Sequence, residues 1–102
     1  VTFDAGSGGK TIADGGSNWN NVIFNNGSGG WSFSDSTVMT GDLTVTAGTL
    51  SGTNDITVNG GGATGNGTIT LTGGTFLLDT TGNFGGDAPW TFSNLTFGNG
   101  SG

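Results

Sequence analysis

Eight charged side chains are the whole ionic inventory of this 102-residue chain: seven carboxylates and one amine. The carboxylates are all Asp, at Asp4, Asp14, Asp35, Asp42, Asp55, Asp79 and Asp87, and the amine is Lys10. His, Cys, Tyr, Glu and Arg do not occur. General acid–base catalysis needs a group that titrates near the working pH, or carboxylates held close enough to differ in affinity for a proton. The Asp residues here are scattered, and most stand beside glycine or a strand end, as in Asp14-Gly15-Gly16 and Gly41-Asp42. Asp in such settings forms turns by bonding its own backbone. No catalytic residue is therefore predicted, and the chain reads as a non-enzyme. Lys10 reads as a solvated strand residue.

Other chemistries fare no better. Tandem nine-residue calcium repeats of the GGxGxDxUx type are missing, Asp14-Gly15-Gly16-Ser17-Asn18 being a loose echo, and no EF-hand loop occurs. Calcium on a pair of loop Asp residues stays an open option, and no other cofactor is expected. Thr44-Val45-Thr46 and Thr68-Ile69-Thr70-Leu71-Thr72 look like threonine arrays, but Val1-Thr2-Phe3-Asp4 and Ile23-Phe24-Asn25 interrupt the pattern. Four Asn-x-Ser/Thr sequons, at Asn26, Asn66, Asn94 and Asn99, are candidate glycosylation sites if the chain is exported.

Charge narrows the partners. A net charge of −6 with one cation repels phosphate backbones and anionic lipid headgroups, so neither nucleic acid nor membrane is an expected partner. No apolar run approaches the roughly 20 residues that span a bilayer. The chain begins at Val1 without an initiator Met, as a processed chain or a segment of a longer one would.

Glycine supplies 24 residues, which could signal disorder. Seven Phe and three Trp argue against it, because they recur in short β-branched runs and would be costly to leave in water. One phrase returns along the chain. Val1-Thr2-Phe3 recurs as Val22-Ile23-Phe24, Leu43-Thr44-Val45, Ile69-Thr70-Leu71 and Leu95-Thr96-Phe97, at spacings of 21, 21, 26 and 26. Each copy is apolar–any–apolar, with glycine close behind. Further alternating runs lie between copies: Lys10–Ile12, Trp31–Phe33, Thr37–Met39, Ile56–Val58, Phe76–Leu78 and Trp90–Phe92. Alternation of period two marks half-buried strands, and the Gly- and Asn-rich connectors supply turns. No window carries a helical stripe.

This pattern predicts an all-β single unit over residues 1–102. It is a parallel β-helix of about four coils of 21–26 residues, with a β-sandwich or jelly roll as the alternative. Coils are expected at 1–21, 22–42, 43–68 and 69–94, with 95–102 starting another. Equivalent positions must fill the same core slot in each coil, so Val22, Leu43 and Ile69 are expected in one interior ladder and Phe24, Val45 and Leu71 in the next. Val1 and Leu95 would extend the first ladder, and Phe3 and Phe97 the second.

The Gly-, Asn-, Thr- and Ser-rich composition with this repeat spacing resembles the passenger regions of autotransporters and the filamentous-haemagglutinin-like surface proteins. That resemblance implies a secreted parallel β-helix at the cell surface. It also admits polysaccharide-cleaving enzymes, which rank third here for want of an acid–base set. No capping segment is evident at either end, so Val1, Thr2, Phe3, Leu95, Thr96 and Phe97 are expected to form assembly surfaces between copies of the chain. The expected function is a structural subunit or segment of an extracellular filament or surface fibre. The alternative is a carbohydrate-binding or adhesin segment, in which Trp19, Trp31 and Trp90 would stack on sugar rings.

Overall fold

Alternation of apolar and polar side chains, broken every few residues by glycine or Asn, leaves short flat strands joined by corners. A computed structural model of the chain describes residues 1–79 and 82–98. Eleven strands and no helix occur among these residues: β1 (Thr2–Phe3), β2 (Lys10–Ile12), β3 (Val22–Phe33), β4 (Thr37–Met39), β5 (Leu43–Gly52), β6 (Ile56–Val58), β7 (Ala63–Thr64), β8 (Thr68–Leu71), β9 (Thr75–Asp79), β10 (Phe84–Gly85) and β11 (Asn94–Gly98). Every strand pairing is parallel and joins residues about one coil apart in sequence. A sandwich of antiparallel hairpins has no such pairing. The fold is a parallel β-solenoid of about five turns.

Three faces wind around one core. The first carries β1, the start of β3, the start of β5, β7 and β10. The second carries β2, the end of β3, the end of β5 and β8, and reaches Thr91 through its bridge to Thr70. The third is the sheet β4-β6-β9-β11, which Trp19 joins by a bridge to Met39. β3 and β5 run through the corner between the first two faces, with register shifts between Phe24 and Gly30.

The register corrects the coil boundaries. Val22 lies beside Leu43, Leu43 beside Ala63, and Ala63 beside Phe84. Coils therefore begin near residues 1, 22, 43, 63 and 84, and along this first face the pitch stays at 20–21 residues. Ile69 does not continue the Leu43 ladder. It stacks on Leu50 of the second face, and Leu71 sits beside Gly52. Leu95 stacks on Phe76 of the third face, and Phe97 on Leu78. The spacing of 26 is one coil plus the step to the following face. Physically, all three faces ask for the same apolar–polar–apolar triad, so the triad alone cannot say which face it occupies.

The six expected ladder residues are nonetheless all core. Val22, Phe24, Leu43, Val45 and Ile69 are fully buried and Leu71 nearly so. Size varies along the axis. The first two coils contribute Phe3, Trp19, Phe24, Trp31 and Phe33, with Phe24 stacked on Phe3 at 5.2 Å and tilted against Trp31 at 5.0 Å. The last two contribute Phe76, Phe84, Trp90, Phe92 and Phe97, linked by ring contacts of 5.0–6.4 Å. The central coil, 43–62, holds no aromatic residue and is packed by Leu43, Val45, Leu50, Ile56 and Val58.

Glycine is required where coils touch at corners. Gly65 has φ +123°, and a Cβ there would collide with the Val45 carbonyl of the coil below. Gly65→Ala should cost about 2–3 kcal/mol, from left-handed strain together with displaced backbone. A fall in thermal midpoint of at least about 5 °C by circular dichroism is the expected reading for a chain this size.

Candidate functional site

The carboxylates and Asn side chains occupy corners, where strands end and backbone groups lose their sheet partners. At the corner between the third and first faces, the Asp42 amide donates to Asn21 Oδ1 at 2.8 Å, and the Gly62 amide donates to Asp42 Oδ1 at 2.9 Å. Between the second and third faces, Asn54 Nδ2 donates to the Phe33 carbonyl at 2.8 Å, the Thr75 amide to Asp55 Oδ1 at 2.8 Å, and Asn94 Nδ2 to the Gly74 carbonyl at 3.2 Å. Between the first and second, Asn26 Nδ2 donates to the Asp4 carbonyl at 3.1 Å and the Asp87 amide to Asn66 Oδ1 at 3.3 Å. Each bond joins one coil to the next. These side chains replace sheet bonds where the chain turns.

This placement bears on several expected sites. Among the described residues, no three acidic side chains gather as a metal ion would require. Asp14 accepts from its own loop, at Gly16, at 2.9 Å. The sequon residues Asn26 and Asn94 already use their amide nitrogens, and Asn66 uses its amide oxygen, to hold neighbouring coils. Asn99 lies outside the described residues. Trp31 is buried at 2 % exposure, while Trp19 and Trp90 are half-buried, with Trp90 Nε1 donating to the Gly67 carbonyl at 2.9 Å. The three indoles do not form an exposed row. The second face, by contrast, carries a hydroxyl column that the comparison of phrases along the chain missed: Thr11, Ser32, Ser51, Thr70 and Thr91, one per coil.

Among the described residues, the exposed large apolar side chains lie in the first and last coils. At one end stand β1, β2 and Trp19 of the first coil. Val1 is 61 % exposed, and Phe3 and Ile12 are only partly covered. Between the first and second faces this end opens into a hollow of about 350 Å³, lined by Phe3, Ala5, Lys10, Ile12 and Trp31 among others. That is at the small end of the roughly 300–1,000 Å³ of ligand sites. At the other end stand β10, Thr91 and β11. Leu95 is 39 % and Phe97 58 % exposed, beside half-buried Phe84, Trp90 and Phe92. The expected assembly residues Val1–Phe3 and Leu95–Phe97 thus lie at opposite ends. They also lie on different faces, so a continued first face runs from Phe84 to Val1, and Leu95 is not its end point.

Lys10 has an unexpected position within this geometry. Its parallel partner is Trp31, which pairs with Leu50, which pairs with Ile69. Trp31, Leu50 and Ile69 are all core. Lys10 is therefore in line with a column of core residues, while itself exposed in the first coil.

Together these features define the molecule's class, a parallel β-solenoid with an apolar core and polar corner brackets between its coils. The chain matches no protein-family model, and comparison with curated sequences and with solved structures yields no match.

Proposed function

We propose that this chain is a structural segment of an extracellular surface fibre, which lengthens when a further coil stacks on either end. The observation that supports the reading is the continuous register: three faces repeat at one pitch over one apolar core, and among the described residues the outermost strands β1 and β10 are each paired on one side only. In a free-standing fold such edges are a hazard that proteins cover or charge. In a stacking unit they are the joint, and a contact that repeats head to tail without closing builds a rod.

The carboxylates of Asp42 and Asp55, which accept from amides of the next coil, support a structural role over a catalytic one. Tryptophans that are buried or half-buried favour the fibre over the carbohydrate-binding alternative. The Gly-, Asn- and Thr-rich, low-charge composition favours a secreted location at the cell surface.

Negative-stain imaging and sedimentation of the intact chain are expected to show rods about as wide as one solenoid, growing with protein concentration. Phe97→Asp, at a half-exposed edge position, should keep the β spectrum while reducing the material to single chains. Folded, monodisperse monomers of the intact chain at every concentration would refute the fibre reading.

A further inference from the structure

An Asn side chain reacts most readily with its own backbone when Gly follows it, because no Cβ shields the next amide nitrogen. The chain has four such pairs: Asn26-Gly27, Asn59-Gly60, Asn66-Gly67 and Asn99-Gly100. The last lies outside the described residues. The fold sets the other three apart. Asn26 is held at both ends of its side-chain amide, with Nδ2 donating to the Asp4 carbonyl at 3.1 Å and Oδ1 accepting from the Ser28 amide at 3.0 Å. Asn66 Oδ1 accepts from the Asp87 amide at 3.3 Å, and the Gly67 amide donates to the Val45 carbonyl at 2.7 Å. Asn59 is exposed at the corner between the third and first faces. Its backbone amide donates to the Met39 carbonyl at 2.8 Å. Among the described residues, neither its side chain nor the Gly60 amide has a hydrogen-bond partner.

We propose that Asn59 is a site of spontaneous covalent modification, deamidating through a succinimide to aspartate and isoaspartate while the folded chain spares Asn26 and Asn66. This does not rest on the fibre reading. Hydroxide removes the Gly60 N–H proton, and the nitrogen attacks Asn59 Cγ. A C–N bond forms, the Cγ–Nδ2 bond breaks, and Nδ2 leaves as ammonia with a proton from water. Water then opens the five-membered imide. Cleavage at Cγ leaves aspartate, and cleavage at the main-chain carbonyl leaves isoaspartate, with the backbone routed through the former side chain. No oxidant or reductant is involved. The same attack at Asn66 must first break the Gly67 bond to Val45. At Asn26 it must pull Cγ away from two partners.

The products differ in what they do to the corner. Gly60 lies so close to the Thr40 carbonyl of the coil below that a Cβ would collide with it. Two residues on, the Gly62 amide donates to Asp42 Oδ1 at 2.9 Å. Isoaspartate adds one carbon to the backbone immediately before Gly60. The added length displaces Gly60 from Thr40 and pulls on the Gly62 bracket. Aspartate keeps the backbone length and adds a negative charge to a corner that already holds Asp42.

Tandem mass spectrometry of the intact chain, incubated at mildly alkaline pH, reads the exchange of amide for acid residue by residue. In the folded chain Asn59 should convert several times faster than Asn26 or Asn66. In denaturant the three rates should converge, because each Asn then precedes a glycine in an open chain. Asn59→Gln, which would need a six-membered ring, should keep its amide. After equal incubation the parent should melt below its fresh form by more than Asn59→Gln does. If Asn26 or Asn66 converts as fast as Asn59 in the folded chain, or Asn59 keeps its amide, the site is refuted. A parent that melts unchanged after Asn59 has converted to isoaspartate refutes the displacement at Gly60.

Discussion

Phe24→Asp is expected to abolish folding: no cooperative thermal transition, and a far-ultraviolet spectrum without β signal. Phe24 is fully buried and touches three rings, with centroids at 5.2 Å (Phe3), 5.0 Å (Trp31) and 6.0 Å (Phe33). Removing the ring alone, as in Phe24→Ala, should cost about 3–5 kcal/mol, and a carboxylate in its place adds the cost of an unpaired buried charge. A chain of this length holds only about 5–15 kcal/mol of net stability, so the charged variant exhausts it. A Phe24→Asp chain that melts like the parent would show that the first face does not point inward at this position.

Ile69 and Leu95 give the second large contrast, because the repeated phrase makes them equivalent and the fold does not. Ile69 is fully buried between Leu50 and the Trp90 column, whereas Leu95 is 39 % exposed on the terminal strand beside Phe76. Ile69→Asp should unfold the chain by the same buried-charge argument. Leu95→Asp should cost no more than about 1 kcal/mol and leave the melt nearly unchanged, as edge and surface substitutions do. Parallel melts by circular dichroism distinguish them. Equal losses at the two positions would restore a 26-residue coil and overturn the observed register.

The contrast also marks what the residues reveal unaided. Period-two alternation and glycine-rich corners identify a solenoid, because no other arrangement needs the same short triad so often. Up to Leu43 the phrase stays on one face, and the alignment is correct. Beyond it, Ala63-Thr64 replaces the phrase on the first face with a small residue, and Ile69-Thr70-Leu71, a better match by composition, lies on the second. Ala63 is fully buried on the first face, in line between Leu43 and Phe84. The corners carried the missing signal. Asn21 and Asp42 recur at 21 residues, and each accepts from an amide of the next coil, as Asp55 and Asn66 do; such corner brackets tolerate little drift because each must reach the next coil's backbone. The first and last coils were only half legible: Val1, Leu95 and Phe97 are exposed as expected of assembly residues, but the place of Lys10 beside Trp31 follows only from pairing.

Aromatic residues concentrated at both ends, with none in the central coil, make the molecule its own reporter of where unfolding begins. Trp19, Trp31 and Trp90 stand in the first, second and fifth coils, so indole emission samples the two extremities and is blind to the aliphatic midsection. In a quasi-one-dimensional stack each coil leans only on its neighbours, and outer coils open first. Emission should therefore change ahead of the backbone signal when the ends fray, and together with it when the stack collapses as a unit. The gap between the two curves measures, in a single titration, how strongly one coil holds the next.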